Sequence, residues 1–265
     1  MILYVVLGLL ILYIYLAMQQ KEGFSLIVKQ DGIQQKTYLN EKIDDSFYAY
    51  NYDDMNLTIP YYIELIQKIH SYFHIHGRTL CLGSRTGHLV QLLSKTTHTI
   101  GVDPSIAMVK MSHYKYPKQE FIQGSYLDPS VFPDHRYSQV IMPLFTLHTL
   151  PHLKEVFVHV KNTLIHSGYF FVCFVDIRTF PVYKKVNHHP SEYFRSNYDY
   201  TVEWKDQQEI ETIIDKKGTI RTNLRDLYLY NASTLLYEAR NAGFTHVKTL
   251  TFDSIPMSIA VLQYK

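Results

Sequence analysis

"RTLCLGSRTGHLVQLL", residues 78–93, begins as a short buried strand and ends as a helix. Gly83 and Gly87 stand at the bend, with Arg85 between them. A polar ligand seated over a strand-to-helix turn needs close approach to the backbone. Glycine permits that approach because it has no Cβ, and the helix start offers free N–H groups. A glycine pair alone is common to many tight turns, so the next strand must decide between a ligand site and a plain turn.

That strand ends in an acid. Asp103 closes the strand-like run "HTIGVD", 20 residues after Gly83. At that place a carboxylate can accept hydrogen bonds from both hydroxyls of a ribose. Bend and acid together point to a nucleoside-containing cofactor. The alternative is an Asp that merely caps the helix starting at Ser105.

The pattern around this pair repeats strand, turn and helix. "TLCL" leads into "HLVQLLSK", "HTIGVD" into "SIAMVKMSHY", and "EFIQGS" into a loop rich in Pro and Asp. "YSQVIMPLF" precedes "LKEVFVHVKNTLI", and "GYFFVCFVD" closes the series. Such alternation predicts a mostly parallel sheet covered on both faces. Upstream, "IPYYIELIQKIHSYF" predicts a helix with Ile63, Ile66, Ile69 and Phe73 on one face. Beyond Asp176, "YTVEW", "EIETIID" and "TIRTNL" read as antiparallel strands of an insertion at about 178–229. "NASTLLYEARNAGF" is a helix capped by Asn231 or Ser233 and stopped by Gly243, and "HVKTLTF" with "SIAVLQYK" forms a terminal strand pair.

Composition narrows the function classes. The 265 residues, 46% hydrophobic, suffice for a packed core. Lys and Arg total 26 against 24 Asp and Glu, so the basic excess of a nucleic-acid groove is absent and no such partner is indicated. Cys81 and Cys173 both fall in strand-like runs and read as small buried residues, which leaves neither a disulfide framework nor a zinc site. At the amino end, Ile2–Met18 is an uncharged apolar run with tyrosines near its ends. It predicts a single transmembrane helix within residues 1–20, and Lys21 and Lys29 behind it place the bulk of the chain on the cytoplasmic side. Residues 21–55 read as a linker and amino-terminal cap segment, and 56–265 as one domain.

The chain resembles the class I S-adenosylmethionine-dependent methyltransferases over roughly residues 46–265. "LCLGSRTGHL" is similar to the family's first-strand glycine loop, "GVDPS" to its second-strand acid and "FIQGSYLDP" to its third-strand end. "VIMPLFTLHTL" is similar to the fourth strand and its turn, and "NAGF" to the last helix before the closing hairpin. "FYAYNYDDMN" resembles a segment that closes over the cofactor in some members. The resemblance implies a Rossmann-like methyltransferase fold: a mostly parallel seven-stranded sheet with a carboxy-terminal antiparallel hairpin and the β-rich insertion. It implies S-adenosylmethionine as cofactor, with Gly83, Ser84, Arg85 and Gly87 along its methionine and ribose portion and Asp103 on the ribose. Gly124, Ser125 and Tyr126 would flank the adenine, Leu144 would lie beneath, and Tyr52 would reach in from the amino-terminal segment. Four positions depart from the family pattern: Cys81 and Ser138 replace acids, Arg85 replaces the middle glycine, and Ser125 stands where an Asp is usual.

Methyl transfer from a sulfonium asks mainly for in-line positioning. His148, Tyr126 and Asp128 are the candidate bases, each with an ordinary alternative in a turn or the core. "NHHP" at 187–190 reads as a loop rather than a metal site. The expected function is a membrane-anchored, single-pass methyltransferase, tethered through residues 2–18, whose insertion covers an unidentified acceptor. No obligate protein partner is indicated. A catalytically degenerate scaffold on the same fold is the alternative.

Overall fold

A computed structural model of the chain describes residues 28–30, 33–131, 136–178, 184–186, 190–205 and 207–265. The anchor expected at 1–20 and "NHH" at 187–189 lie outside these residues. Among the described residues no helix is long and apolar enough to cross a membrane.

The elements run β1 (Val28–Gln30), β2 (Ile33–Leu39), α1 (Ser46–Asn56), α2 (Ile59–His70), β3 (Arg78–Leu82), α3 (His88–Leu93), β4 (His98–Asp103), α4 (Ile106–Lys115) and β5 (Glu120–Gln123). They continue with β6 (Tyr137–Met142), α5 (Leu153–Thr163), β7 (Leu164–Phe174), β8 (Lys184–Val186), α6 (Glu192–Asn197), β9 (Tyr198–Lys205), β10 (Gln208–Asp215) and β11 (Ile220–Asp226). Last come α7 (Ala232–Asn241), β12 (Phe244–Thr251) and β13 (Ser258–Tyr264).

Seven strands form one sheet in the order β12-β13-β7-β6-β3-β4-β5. Its neighbours pair in parallel except where β13 runs antiparallel to both β7 and β12. This is the sheet expected from the alternating pattern. Its central strands are apolar on both faces because each face is covered. Leu80, Leu82, Val140, Phe170 and Val172 pack with α5 and α7 on one side, and Cys81, Ile141, Phe171 and Cys173 with α2 and α3 on the other. Burial pushes both thiols up, so they behave as the small apolar residues expected. The α2 face is set one residue from expectation. Tyr62, Leu65 and Ile69 are buried while Ile63 is exposed, because aromatic Tyr62 fills the space against the sheet.

The chain passes from β3 outward to β4 and β5, then returns to β6 on the other side of β3. The crevice above the carboxyl ends of β3 and β6 is therefore the point where strand order reverses, the usual ligand position in an open α/β sheet.

A second sheet has the order β1-β2-β11-β10-β9-β8. Its β8–β11 come from the expected insertion. Its edge comes from residues expected to be a linker, since β2 lies parallel to β11 with Gln35 opposite Ile220. That pairing joins segments far apart in sequence, so neither carries a local signal for it. The 21–55 stretch is thus partly strand. Asp45 caps α1 by accepting the Tyr48 N–H at 2.9 Å, and α1 rests on α4 and α6.

Candidate functional site

The bend after β3 is held tightly. Gly83 and Ser84 N–H both donate to Val102 O on β4, at 2.9 and 3.0 Å. Gly83 has φ +85°, and a Cβ there would come within 2.3 Å of Thr146 Oγ1, so the bend after β3 abuts the turn after β6. Gly87, at φ +89°, begins α3 in the left-handed region that glycine tolerates. Ser84 turns downward: its side chain is buried beside Gly101 of β4, whose missing Cβ leaves the room. Only the backbone of Ser84 is left to face the crevice.

Arg85 takes the middle glycine's place at φ +49°, which costs an ordinary residue about 1–2 kcal/mol. Three contacts hold it there. Its N–H donates to Asp103 Oδ2 at 2.9 Å, its carbonyl accepts the Ser112 hydroxyl at 2.7 Å, and its guanidinium donates to Asp44 Oδ2 at 2.5 Å. The guanidinium also lies 5.8 Å from the Tyr52 ring centroid. Asp44 and Tyr52 belong to the expected amino-terminal cap segment, and they do lie above the bend.

Asp103 is fully buried and faces that bend. Oδ2 accepts from Arg85, and Oδ1 accepts the Ser105 N–H at 3.0 Å. Ser105, not Asp103, caps α4, by accepting the Met108 N–H at 3.2 Å. A carboxylate has about four acceptor positions, so two remain for a diol. Burial raises the Asp103 carboxyl to about 6, against the pull of Arg85.

The flanking residues are placed unequally. Gly124 N–H donates to Asp103 O at 3.1 Å, tying the end of β5 to the acid's own strand. Ser125 is exposed, its hydroxyl accepting the Leu127 N–H at 3.2 Å. Tyr126 is buried in the core. Its phenol is pushed up first by burial and then by the Asp103 carboxylate, so it stays neutral. Leu144 takes φ +46° in the turn after β6.

The candidate bases resolve into other roles. His148 is fully buried; Nε2 accepts the Val175 N–H at 2.9 Å, so Nδ1 carries the proton and donates to Tyr228 O at 2.9 Å. With both nitrogens committed and burial lowering its pKa, His148 is a neutral tie between β7 and the insertion's exit. Asp128 is exposed and closes a turn on Ser130.

Two groups were missed by sequence reading. Asp53 on α1 accepts from Thr86 Oγ1 at 2.5 Å and from Lys115, and lies 2.9 Å from His88 Nε2, clamping α1 onto the loop. Opposite, the inward face of the second sheet brings Arg225 to 3.3 Å from Asp44 and to 3.4 Å from Glu209. Asp44 is thus gripped by Arg85 and Arg225, which outweigh its burial and hold it below the usual carboxylate range. Among the described residues no cluster of three His, Cys, Asp or Glu could hold a metal ion.

Comparison with known proteins gives this geometry a setting. Residues 80–172 match a family described as methyltransferase domain. No curated protein matches the sequence. Among solved structures, an S-adenosylmethionine-dependent methyltransferase from Clostridium acetobutylicum is similar at 13% identity and TM-score 0.65, covering 82% of this chain and 98% of that one. The CcbJ methyltransferase from Streptomyces caelestis is 18% identical at TM-score 0.64, over 78% of this chain and 96% of its own. CalS10, an amino pentose methyltransferase from Micromonospora echinaspora with its S-adenosylmethionine bound, is 12% identical at TM-score 0.57, over 83% and 95%. The chain therefore has the fold of the S-adenosylmethionine-dependent methyltransferases.

Proposed function

We propose that this protein is an S-adenosylmethionine-dependent methyltransferase and that the donor lies in the crevice above β3 and β6. The observation that carries the reading is Asp103: a buried carboxylate at the end of β4, aimed at a bare-backbone bend, with acceptor positions to spare. The donor set fits the group, because a ribose diol supplies two O–H donors and this carboxylate can accept both. Gly83 and Gly87 supply the close backbone approach, Asp103 orients the ribose, and Tyr52 with Arg85 screens the site from water. Gly124 and Ser125 border the adenine end. The donor supplies an electrophilic methyl on a sulfonium, and the protein's task is alignment and exclusion of solvent.

Calorimetry on the full chain tests this. S-adenosylmethionine and its demethylated product are expected to bind saturably to the wild type, and Asp103→Ala to lose at least about tenfold in affinity. Absence of heat with either compound would remove the reading.

A second reading, a scaffold that binds no donor, draws on Arg85, whose guanidinium spans from the bend to Asp44 beneath Tyr52. The same titration separates the two. Membrane tethering through residues 2–18, with the domain in the cytoplasm, belongs to the proposal as well. Full-length protein is expected to sediment with membranes and to need detergent for release.

A further inference from the structure

The second sheet points an unusual set of side chains at the crevice. Strand register places Glu209 directly between Trp204 on β9 and Arg225 on β11. Its carboxylate accepts the Trp204 indole N–H at 3.2 Å and lies 3.4 Å from Arg225 Nε. Trp204 in turn meets the Phe145 ring edge-on, with centroids 5.6 Å apart, and Phe145 follows Leu144 in the turn after β6. Through Arg225 and Asp44 the same carboxylate connects to Arg85 on the glycine bend. Glu209 thus stands across the crevice from both elements that border the donor. Its side chain is 20% exposed, so it is recessed but still reaches solvent.

Charge makes this placement informative. Four carboxylates gather here, Asp44, Asp103, Glu209 and Glu211, against two guanidiniums, Arg85 and Arg225, while Arg221 is taken by Asp45 at 2.8 Å. Glu211 is satisfied by hydroxyls and an amide, from Tyr48 at 2.9 Å, Tyr200 at 2.5 Å and Asn223 at 3.1 Å. The set carries two negative charges in excess. A bound S-adenosylmethionine, with sulfonium, ammonium and carboxylate, brings a net charge of one positive unit. That offsets one of the two excess charges of this set. Burial and the neighbouring Glu211 carboxylate raise the Glu209 carboxyl, the strain expected of an acid that lacks a full counter-charge.

Building on the methyl-transfer reading above, we propose that the acceptor is an amine, bound as its ammonium at Glu209 with the Trp204 indole and Phe145 ring as walls. An aromatic wall beside a carboxylate is the usual setting for an organic ammonium. Both guanidiniums of this wall already hold Asp44, so neither Arg85 nor Arg225 is spare for an anionic acceptor. In the transfer, the ammonium gives one proton to a Glu209 oxygen. The freed nitrogen lone pair forms the carbon–nitrogen bond as the methyl carbon leaves sulfur, and the electron pair of the broken bond stays on sulfur. The product leaves as a methylammonium, with the proton on Glu209 passing to water.

Trp204 is the only tryptophan in the chain, so its emission reports this site directly. The full chain, with S-adenosylhomocysteine present, is titrated with 2-phenylethylamine and benzylamine and with the matched 2-phenylethanol and phenylacetate. Amines are expected to change Trp204 emission saturably, with the alcohol and the acid at least about tenfold weaker. Glu209→Gln is expected to bring the amines down to the level of the alcohol. Equal binding of alcohol or acid, no saturation with either amine, or unchanged amine affinity in Glu209→Gln would each overturn the proposal. The wild-type comparison needs no variant, so it stands even if Glu209→Gln does not fold. If S-adenosylhomocysteine gives no heat in calorimetry while amines still saturate Trp204, the methyl-transfer reading falls and the ammonium site remains.

Discussion

In the seven-stranded sheet one charged side chain is buried among the described residues, Asp103, and it stands at a strand end; in the six-stranded sheet Glu211, Arg221 and Arg225 are buried along the strands. The first sheet separates core from chemistry. Its interior is apolar, and polar work is left to the bend and acid at its carboxyl edge. The second sheet has no such separation, because the face it turns to the crevice is itself the polar wall. Stability and the proposed ligand recognition then depend on the same residues. Substitutions on the two sides should therefore fail differently.

The largest effect is expected at Arg225. Replacing it by Met keeps the stem and removes the cation shared by Asp44 and Glu209. Breaking a buried pair while leaving its partners charged costs about 3–5 kcal/mol. Urea unfolding at pH 7 is expected to show a loss of that size. The loss should shrink as pH falls, because burial and the Glu211 carboxylate raise the Glu209 carboxyl, which takes up a proton sooner than an ordinary one and then no longer needs the cation. A loss below about 1 kcal/mol would make this wall an ordinary solvated face.

Asp103 offers the contrasting case, with an expected effect of about 3 kcal/mol that depends on pH. Its folded carboxyl sits near 6 against an ordinary 3.8. Between those values the folded chain holds a proton that the unfolded chain has released, so this group's contribution to stability falls as pH rises from 4 to above 6. The gap of about two units corresponds to roughly 3 kcal/mol. The difference in unfolding free energy, wild type minus Asp103→Asn, is expected to decrease by about that amount from pH 3 to pH 8. Hydroxyl donors favour the ionised form, so donor affinity should rise through pH 6 and binding at pH 6 should release a proton. Calorimetry in buffers of different ionisation heat measures that release.

These two regions also differ in how far the sequence discloses them. The bend, the acid and the strand–helix alternation that makes the sheet mostly parallel were legible because each rests on local signals. Gly83 and Gly87 mark the turn, an apolar run precedes it, and Asp103 comes one supersecondary unit later. The polar wall was not legible, for two physical reasons. On β10 the buried positions are Glu211 and Ile213, with Glu209 on the same face, while Ile210, Thr212 and Ile214 are only half-buried on the other. Burial there runs partly against hydrophobicity, so alternation suggests the wrong face. Also, β2 finds β11 across more than 180 residues, and nothing in "IQQKTYL" indicates a partner. The Arg85–Asp44 pair was hidden for the same reason, although an arginine in a glycine position is itself a cue to look for a buried acid. The role of His148 was left open between base and turn, because its two ring hydrogen bonds are to Val175 and Tyr228, on distant elements.

The smallest expected effect sharpens the contrast from the side of the parallel sheet. Ser125 is exposed at the end of β5, and its Oγ accepts the Leu127 N–H at 3.2 Å. An Asp in its place can keep that local bond, since a carboxylate serves such turns as well as a hydroxyl does. It also adds a charged acceptor beside the position proposed for the adenine amino group. A partly solvated charge-assisted bond contributes about 0.5–1 kcal/mol, so Ser125→Asp is expected to tighten S-adenosylhomocysteine binding two- to fivefold. The unfolding midpoint should hardly move, because no buried group changes partner. On the opposite wall any added acid should do the reverse and weaken the fold, given the negative excess already there. Unchanged affinity in Ser125→Asp would place the adenine away from β5 and loosen the link between this crevice and a nucleoside.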